Sequence, residues 1–196
     1  MLSKREQLSK RFFDVIVACI LLPFVIFLLI LLLLLAAIDT RGNGLFVQER
    51  VGKDGKLFKL YKIRTLKGKN HESVHEIKAS ETALGKWLRA SKLDEIPQLF
   101  NVIKGDMSWV GPRPDIKGYA DKLEGEDRIV LSVRPGVTGP ATIKYRNEEA
   151  LLVVQENANE YNDLVIWPDK VKINKEYVQN WSLQRDIRYL ISSFFN

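Results

Sequence analysis

At 196 residues the chain has room for one ordinary domain with a core, which excludes a second full globular domain. It carries 30 Lys and Arg against 24 Asp and Glu, and the net charge of +6 favours anionic partners: nucleic acid, lipid headgroups or phosphorylated small molecules. The single cysteine, Cys19, excludes an intrachain disulfide, so a cytosolic setting fits the soluble part.

The first element in chain order is the run "VIVACILLPFVIFLLILLLLLAAI", residues 15–38, which holds no charge over 24 residues. It is long enough to cross a hydrocarbon core of about 30 Å. The following "LLLAAIDTRGNG" has no small-x-small cleavage site, which argues against a signal peptide. Pro23 removes one helical hydrogen bond and divides the run into legs of about 12 Å and about 22 Å. Two readings stand: a Pro-kinked spanning helix, or a helix-break-helix that enters and leaves one leaflet. Lys4, Arg5, Lys10 and Arg11 precede the run and Arg41, Arg50, Lys53 and Lys56 follow it, so both ends have cytoplasmic character.

Residues 45–50 and 57–64 read as two strands joined by a turn at Asp54-Gly55, a β-hairpin. The polar stretch 67–81 reads as a loop. Within it "HESVH", residues 71–75, matches the two-His zinc peptidase pattern, but the chain has only these two His and the stretch has no apolar face, so a solvated loop is the better reading. "TALGKWLRA" is a short helix capped by Ser80 or Thr82.

"SKLDEIPQLFNVIKGDMSWVGPRP", residues 91–114, sets two adjacent acids ahead of an apolar stripe. The pattern predicts a helix over about 95–104, with Asp94 at the N-cap, Pro97 in the first turn, Gly105 as the stop, and Leu99, Val102 and Ile103 buried. A helix N-terminus favours ionised carboxylates, and two of them side by side call for a cation between them. A hard divalent ion accepts carboxylate and phosphate oxygens together, and a carboxylate can itself attack phosphorus, so the pair points to phosphoryl chemistry. An ordinary capping Asp followed by a first-turn Glu accounts for the same spacing. Basic residues tip the balance: Lys59, Lys62, Arg64, Arg89, Arg113 in "GPRP", Arg134 in "RPG" and Arg146 in "KYRN", several held by neighbouring Gly and Pro. The helix pattern resumes at 116–123, "RPGVTGP" reads as a loop, and 148–165 is helical in part. The end is amphipathic: Leu183, Ile187, Leu190, Ile191, Phe194 and Phe195 share one face opposite Arg185, Asp186 and Arg188, which suits core packing or a membrane interface.

"KRFFD" with the Pro-broken run, "FVQERVG", "FKLYKIRT", the segment "LGKWLRASKLDEIPQLFNVIKGDMSWVGPRP", "RPGVTGPA" and "RN" at 146–147 together resemble the small monotopic phosphoglycosyl transferases, a bacterial sugar transferase family. The resemblance implies an α+β, mostly helical protein: a re-entrant membrane helix hairpin broken at Pro23 (residues 1–40), then a cytosolic catalytic domain (41–196) with a short β-hairpin and an amphipathic C-terminal helix. It implies transfer of a sugar-1-phosphate from a UDP-sugar to polyprenyl (undecaprenyl) phosphate, with release of UMP, as the first membrane step of O-antigen, capsule or glycan assembly. Asp94 is then the nucleophile and Glu95 the Mg2+-binding residue, with Arg113 and Arg146 contacting phosphate and nucleotide; Lys59, Arg64, Arg89 and Arg134 are the further candidate substrate-binding residues. The implied partners are donor, acceptor and membrane lipids, with a homodimer allowed and no nucleic acid, and the implied place is the cytoplasmic face of the bacterial inner membrane. Where many members read Gly-Leu-Ala-Gln-Val-Asn-Gly-Arg-Asn, this chain has Gly139, Pro140, Ala141, Thr142, Ile143, Lys144, Tyr145, Arg146 and Asn147, so sugar specificity does not carry over. A membrane-anchored adaptor with a basic face is the rival reading; it has no use for Asp94 and Glu95.

Overall fold

Helix α1 extends well beyond the apolar run at both ends, covering Lys4–Thr40 over 37 residues with Pro23 inside it. The two expected legs thus form one helical element in the computed structural model, which describes residues 2–68 and 79–195, apart from the side chains of Glu149 and Phe194. By length and composition α1 can cross a membrane. "HESVH" lies outside the described residues.

Two strands follow, β1 (Leu45–Val51) and β2 (Leu57–Ile63), paired as a hairpin. As expected, Asp54 and Gly55 make the turn, both with positive φ. Helix α2 (Ala83–Ala90) starts at Thr82, whose side chain accepts a hydrogen bond from the Gly85 N–H at 2.8 Å, so Thr82 is the cap. Next come a 3-10 turn at Leu93–Glu95 and helix α3 (Gln98–Lys104), which ends where Gly105 takes φ +95°.

Strand β3 (Ser108–Val110) runs parallel to β4 (Gly136–Thr138), with Ser108 opposite Gly136 and Val110 opposite Thr138. The expected loop "RPGVTGP" therefore contains a strand. Three glycines make it possible: a Cβ on Gly136 would stand 2.1 Å from the Gly111 nitrogen, and one on Gly139 2.2 Å from the Gly111 oxygen. Composition alone reads such a segment as a loop, because the residues that permit close backbone approach are also the turn formers. Over 116–123 the expected helix shrinks to a 3-10 turn at Ala120–Lys122, since Gly118 takes φ +111° and breaks the ladder.

The remainder is helical: a 3-10 segment (Gly125–Ser132), α4 (Pro140–Lys144), α5 (Glu148–Val153), α6 (Ala158–Tyr161), a π turn (Asn162–Ile166), α7 (Trp167–Gln179) and α8 (Leu183–Phe195). Mostly helical secondary structure with two small sheets among the described residues makes the chain α+β.

The chain forms two compact units. One comprises Met1–Asp14, Arg50–Phe58 and Gly105–Asn196. Its core gathers Leu2, Val110, Val133, Tyr177 and Val178. A buried polar network ties the start of α1 into it. Lys10, 5% exposed, donates to Asp186 at 2.5 Å and to the Val110 carbonyl at 2.8 Å; Asp186 also accepts from Tyr177 (2.7 Å) and from Trp181 Nε1 (2.9 Å). One turn on, Asp14 Oδ1 accepts from Ser108 Oγ (2.9 Å) and the Trp109 N–H (3.0 Å). Asp186 was expected on the solvent face of α8 and is fully buried instead, because a buried ammonium and two ring donors need one acceptor. Ile187 and Ile191 of the apolar face are exposed, so that part of the face does not pack on the core.

The second unit comprises Val15–Glu49 and Lys59–Lys104. Leu29, Leu32 and Ala36 of α1 pack with Ile63 of β2 and Leu88 of α2, so the second half of the apolar run lays one stripe on protein. The chain turns away from α1 at Gly44, where a Cβ would stand 2.0 Å from the Leu33 carbonyl oxygen.

Candidate active site

Asp94 and Glu95 belong to the second unit and occupy the 3-10 turn Leu93–Glu95, not a helix N-cap; the turn makes no side-chain capping bond. The cause is Pro97. It has no N–H for the α-helical ladder, so the backbone proceeds by i→i+3 bonds (Glu95 N–H to Lys92 O and Ile96 N–H to Leu93 O, both 3.2 Å), and α3 starts at Gln98. Lys92 enters the turn with φ +58°, a left-handed conformation unusual for a side-chain-bearing residue.

The turn buries Asp94 to 7% exposure and leaves its Oδ1 buried with no hydrogen-bond partner. An orphaned carboxylate oxygen is costly, and such atoms concentrate where a reaction or a ligand uses them. Burial pushes the Asp94 carboxyl above the usual range; Lys62 is the largest opposing attraction, neighbouring Glu95 adds to the rise, and Lys92 and Arg89 pull down. The expectation that a helix N-terminus would hold this acid well ionised is thus replaced by a desolvated carboxyl balanced chiefly by one lysine. Lys62 also pairs with Glu95 Oε1 at 3.2 Å.

Beneath the pair, Asn101 of α3 is completely buried and clamps β2: its Nδ2 donates to the Lys59 carbonyl (2.7 Å) and its Oδ1 accepts from the Tyr61 N–H (3.1 Å). That fixes the strand carrying Lys62. Leu99 and Val102 are buried as expected, whereas Ile103 is only half-buried and Asn101 takes the innermost place.

The other expected site residues divide between the units. In the second unit the Lys59 side chain is exposed, and Arg89 pairs with Glu81 at 3.4 Å while adding to the positive field at Asp94. Arg64 is committed to the loop after α1: its Nε donates to Asn43 O at 2.7 Å, and its guanidinium lies 5.8 Å from the Phe46 ring. In the first unit Arg134 Nε donates to Gly105 O at 2.7 Å, and Arg146 donates to Ser193 O at 2.6 Å. Arg113 is exposed and lines a cleft with Asp115, Val51, Pro112, Leu131 and Pro135. Burial raises the Asp115 carboxyl to about 6, against the pull of Lys170, Arg50 and Arg113.

Lys62, Asn101 and Asp115 were not among the residues singled out for the site, although Lys62 was noted in the basic surrounding. Strand parity held the signal for Lys62, which shares a side of β2 with buried Leu60; a lysine on a buried side needs an acid. Asn101 and Asp115 sit in segments whose local pattern carries no sign of a tertiary bond.

Two adjacent carboxylates, one with a buried unpartnered oxygen, fit a Mg2+ ion, which typically takes one or two carboxylates and completes its shell with water and phosphate oxygens. No group of three or more His, Cys, Asp or Glu side chains converges among the described residues, so an all-protein metal cage is not part of that fit.

The bacterial sugar transferase family model matches residues 5–196. Relatives include undecaprenyl-phosphate galactose phosphotransferase of Salmonella typhimurium, 31% identical over 98% of this chain and 41% of that protein. The UDP-N-acetylgalactosamine-undecaprenyl-phosphate N-acetylgalactosaminephosphotransferase of Aeromonas hydrophila is 32% identical over 91% of this chain and 41% of its own length. The exopolysaccharide production protein ExoY of Sinorhizobium fredii is 31% identical over 92% of this chain and 81% of its own length. The chain spans about two fifths of the first two relatives. The long helix that ties into both units, the buried acid pair and a family match over nearly every residue lead to one statement: this chain belongs to the bacterial sugar transferase family.

Proposed function

We propose that the protein transfers a sugar-1-phosphate from a UDP-sugar to polyprenyl phosphate through a covalent intermediate on Asp94, at the cytoplasmic face of the inner membrane, at the start of glycoconjugate assembly. The observation that carries this reading is the buried, unpartnered Oδ1 of Asp94 beside Glu95 and Lys62. In the first half-reaction Oδ1 attacks the β-phosphorus; the Asp94–phosphorus bond forms, the bond to the bridging oxygen breaks, and UMP leaves with that electron pair. In the second, an oxygen of polyprenyl phosphate attacks the same phosphorus, forming the diphosphate link and restoring the Asp94 carboxylate. Burial serves this chemistry: a desolvated carboxylate is a stronger nucleophile than a hydrated one, and Lys62 opposes the burial by favouring the ionised form. Lys62 also steadies Glu95, and Asn101 steadies the strand that presents Lys62. Mg2+, when bound by Glu95 and Asp94, would supply positive charge against the phosphates.

The membrane reading is a re-entrant helix with both ends cytoplasmic. Buried Asp14 and Ala18 precede, and buried Leu29 follows, a stretch of ten residues (19–28) that surrounds Pro23 and exposes Phe24 and Phe27 at 78% each. What supports the reading is Pro23 inside this exposed stretch, where a helical hydrogen bond is missing, together with basic residues on both flanks of the run.

The test is release of UMP by the detergent-solubilised protein across a panel of UDP-sugars, without acceptor and then with polyprenyl phosphate. A ping-pong reaction gives one UMP per protein without acceptor and continuous turnover with it. Acceptor-dependent release with no single-turnover burst for any active donor rejects the covalent route.

A further inference from the structure

The chain leaves α2 through its cap, Ser91, and Lys92 is the first residue beyond, with φ +58° and ψ +15°. Glycine is the usual occupant of such a position, because it enters the left-handed region without a Cβ penalty. The backbone on both sides enforces the conformation here: the Lys92 N–H donates to Arg89 O and its carbonyl accepts from the Glu95 N–H, each at 3.2 Å. A side chain kept where it strains the backbone points to a use for that side chain. Arg41, just after α1, shares the conformation, so strain alone does not decide the matter.

Charge is the second observation. Three cations favour the ionised form of Asp94: Lys62, Lys92 and Arg89. Lys62 is paired with Glu95 at 3.2 Å and Arg89 with Glu81 at 3.4 Å, both pairs partly buried. Lys92 is exposed, and among the described residues no carboxylate pairs with it. A phosphate that meets Asp94 brings more negative charge to a place already holding two carboxylates, and of the three cations only Lys92 has its ammonium uncommitted. Its root is fixed two residues before Asp94, while its four-carbon stem can follow the incoming group.

We propose that Lys92 is a substrate-binding residue whose ammonium takes a phosphate oxygen of the group that reacts at Asp94. The inference rests on the reaction proposed above. The oxygen belongs to the donor's β-phosphate in the first half-reaction, and polyprenyl phosphate offers the same chemistry in the second.

The full chain in detergent, as parent, Lys92→Gly, Lys92→Met and Lys92→Arg, separates side chain from backbone. Lys92→Gly removes the strain together with the charge, so it should melt no lower than the parent, yet need about tenfold or more donor for a half-maximal UMP burst. Lys92→Met should need the same excess, and Lys92→Arg should stay near the parent. A purely conformational role predicts that Gly serves at least as well as Lys. Acceptor use is read as the KM for polyprenyl phosphate at saturating donor: a rise there with parental donor dependence assigns the phosphate oxygen to the acceptor, and no rise in either quantity overturns the proposal. A binding measurement without turnover uses Asp94→Asn titrated with UDP, the part common to every UDP-sugar. Adding Lys92→Met should weaken that binding by about tenfold or more, a loss that cannot pass through the Asp94 charge because both proteins lack it. Rejection of the covalent route leaves this comparison standing, whereas equal UDP binding with and without Lys92, at an unchanged KM for polyprenyl phosphate, overturns the inference.

Discussion

Replacing Asp186 by Ala removes the acceptor of three donors at once: the buried Lys10 ammonium and Tyr177 hydroxyl and the partly buried Trp181 indole N–H. The Val110 carbonyl stays within reach of Lys10 at 2.8 Å and of Tyr177 at 3.2 Å, so the principal loss is the counter-charge for Lys10, which is 5% exposed. Breaking a buried pair by deleting one partner costs about 3–5 kcal/mol. In a protein of 150–250 residues each kcal/mol moves the midpoint by about 2–4 °C, so Asp186→Ala is expected to lower Tm by about 6–20 °C. Unfolding followed by tryptophan fluorescence in nanodiscs measures this directly, since Trp181 belongs to the network and Trp109 donates to the Asp14 carbonyl beside it. The decisive comparison is the double variant Lys10→Met, Asp186→Leu. Removing both charges and filling the space with apolar atoms leaves no unpaired ion, so the double variant should unfold well above Asp186→Ala and near the parent. If the double variant melts no higher than the single one, the uncompensated ammonium is not the source of the loss and the ion-pair account fails.

Asp94→Asn should abolish UMP release while melting like the parent, because an amide forms no acyl phosphate and the turn uses no side-chain cap from this residue; residual turnover above background would remove Asp94 as nucleophile. The burst rate should fall on acidification, since only the carboxylate attacks and burial raises its pKa; the acid limb belongs above the ordinary Asp value of about 3.9, and a midpoint at or below that value contradicts the burial argument. Lys62→Met takes away the largest stabilising charge and should shift that limb to still higher pH, whereas Lys62→Arg should shift it less. Glu95→Gln and chelation should each suppress the burst, with Mg2+ restoring the chelated parent but not the variant; a burst indifferent to chelator excludes the metal role. Pro23→Leu returns to α1 the backbone N–H that Pro23 lacks, should favour a membrane-crossing helix, and should carry a cysteine near Ser3 to the far side in a fraction of molecules, read by impermeant labelling of intact cells in a Cys19→Ser background; labelling in the parent would show a spanning helix.

The elements that local pattern determines were legible. The apolar run, the Asp54-Gly55 hairpin, the Thr82 cap and the Gly105 stop each depend on neighbours a few residues away, and each is present. The acid pair was legible as chemistry because two adjacent carboxylates need a reason. Its environment was not: whether Asp94 caps a helix in water or lies desolvated in a 3-10 turn depends on Pro97 denying the ladder its donor and on what packs over the turn. The C-terminal helix shows the same limit from the other side. Hydropathy set Asp186 opposite the apolar face and left open whether that face packs on the core or meets a membrane; a lysine 176 positions earlier in the chain draws Asp186 inward and leaves Ile187 and Ile191 exposed. Parallel strand β4 escaped notice because its register depends on glycine contacts with Gly111, across a separation that periodicity does not see.

Asn101 has one more consequence. Among the described residues β2 pairs with β1 on one edge and with no strand on the other. The side-chain amide of Asn101 presents a donor and an acceptor to Lys59 O and Tyr61 N–H just as a neighbouring peptide unit would. A buried side chain thus stands in for a third strand and withdraws those edge groups from intermolecular pairing, the route by which exposed edges seed aggregation. In a protein that also carries a long apolar helix, masking a sheet edge from within the fold removes one route to association without spending a further strand on it.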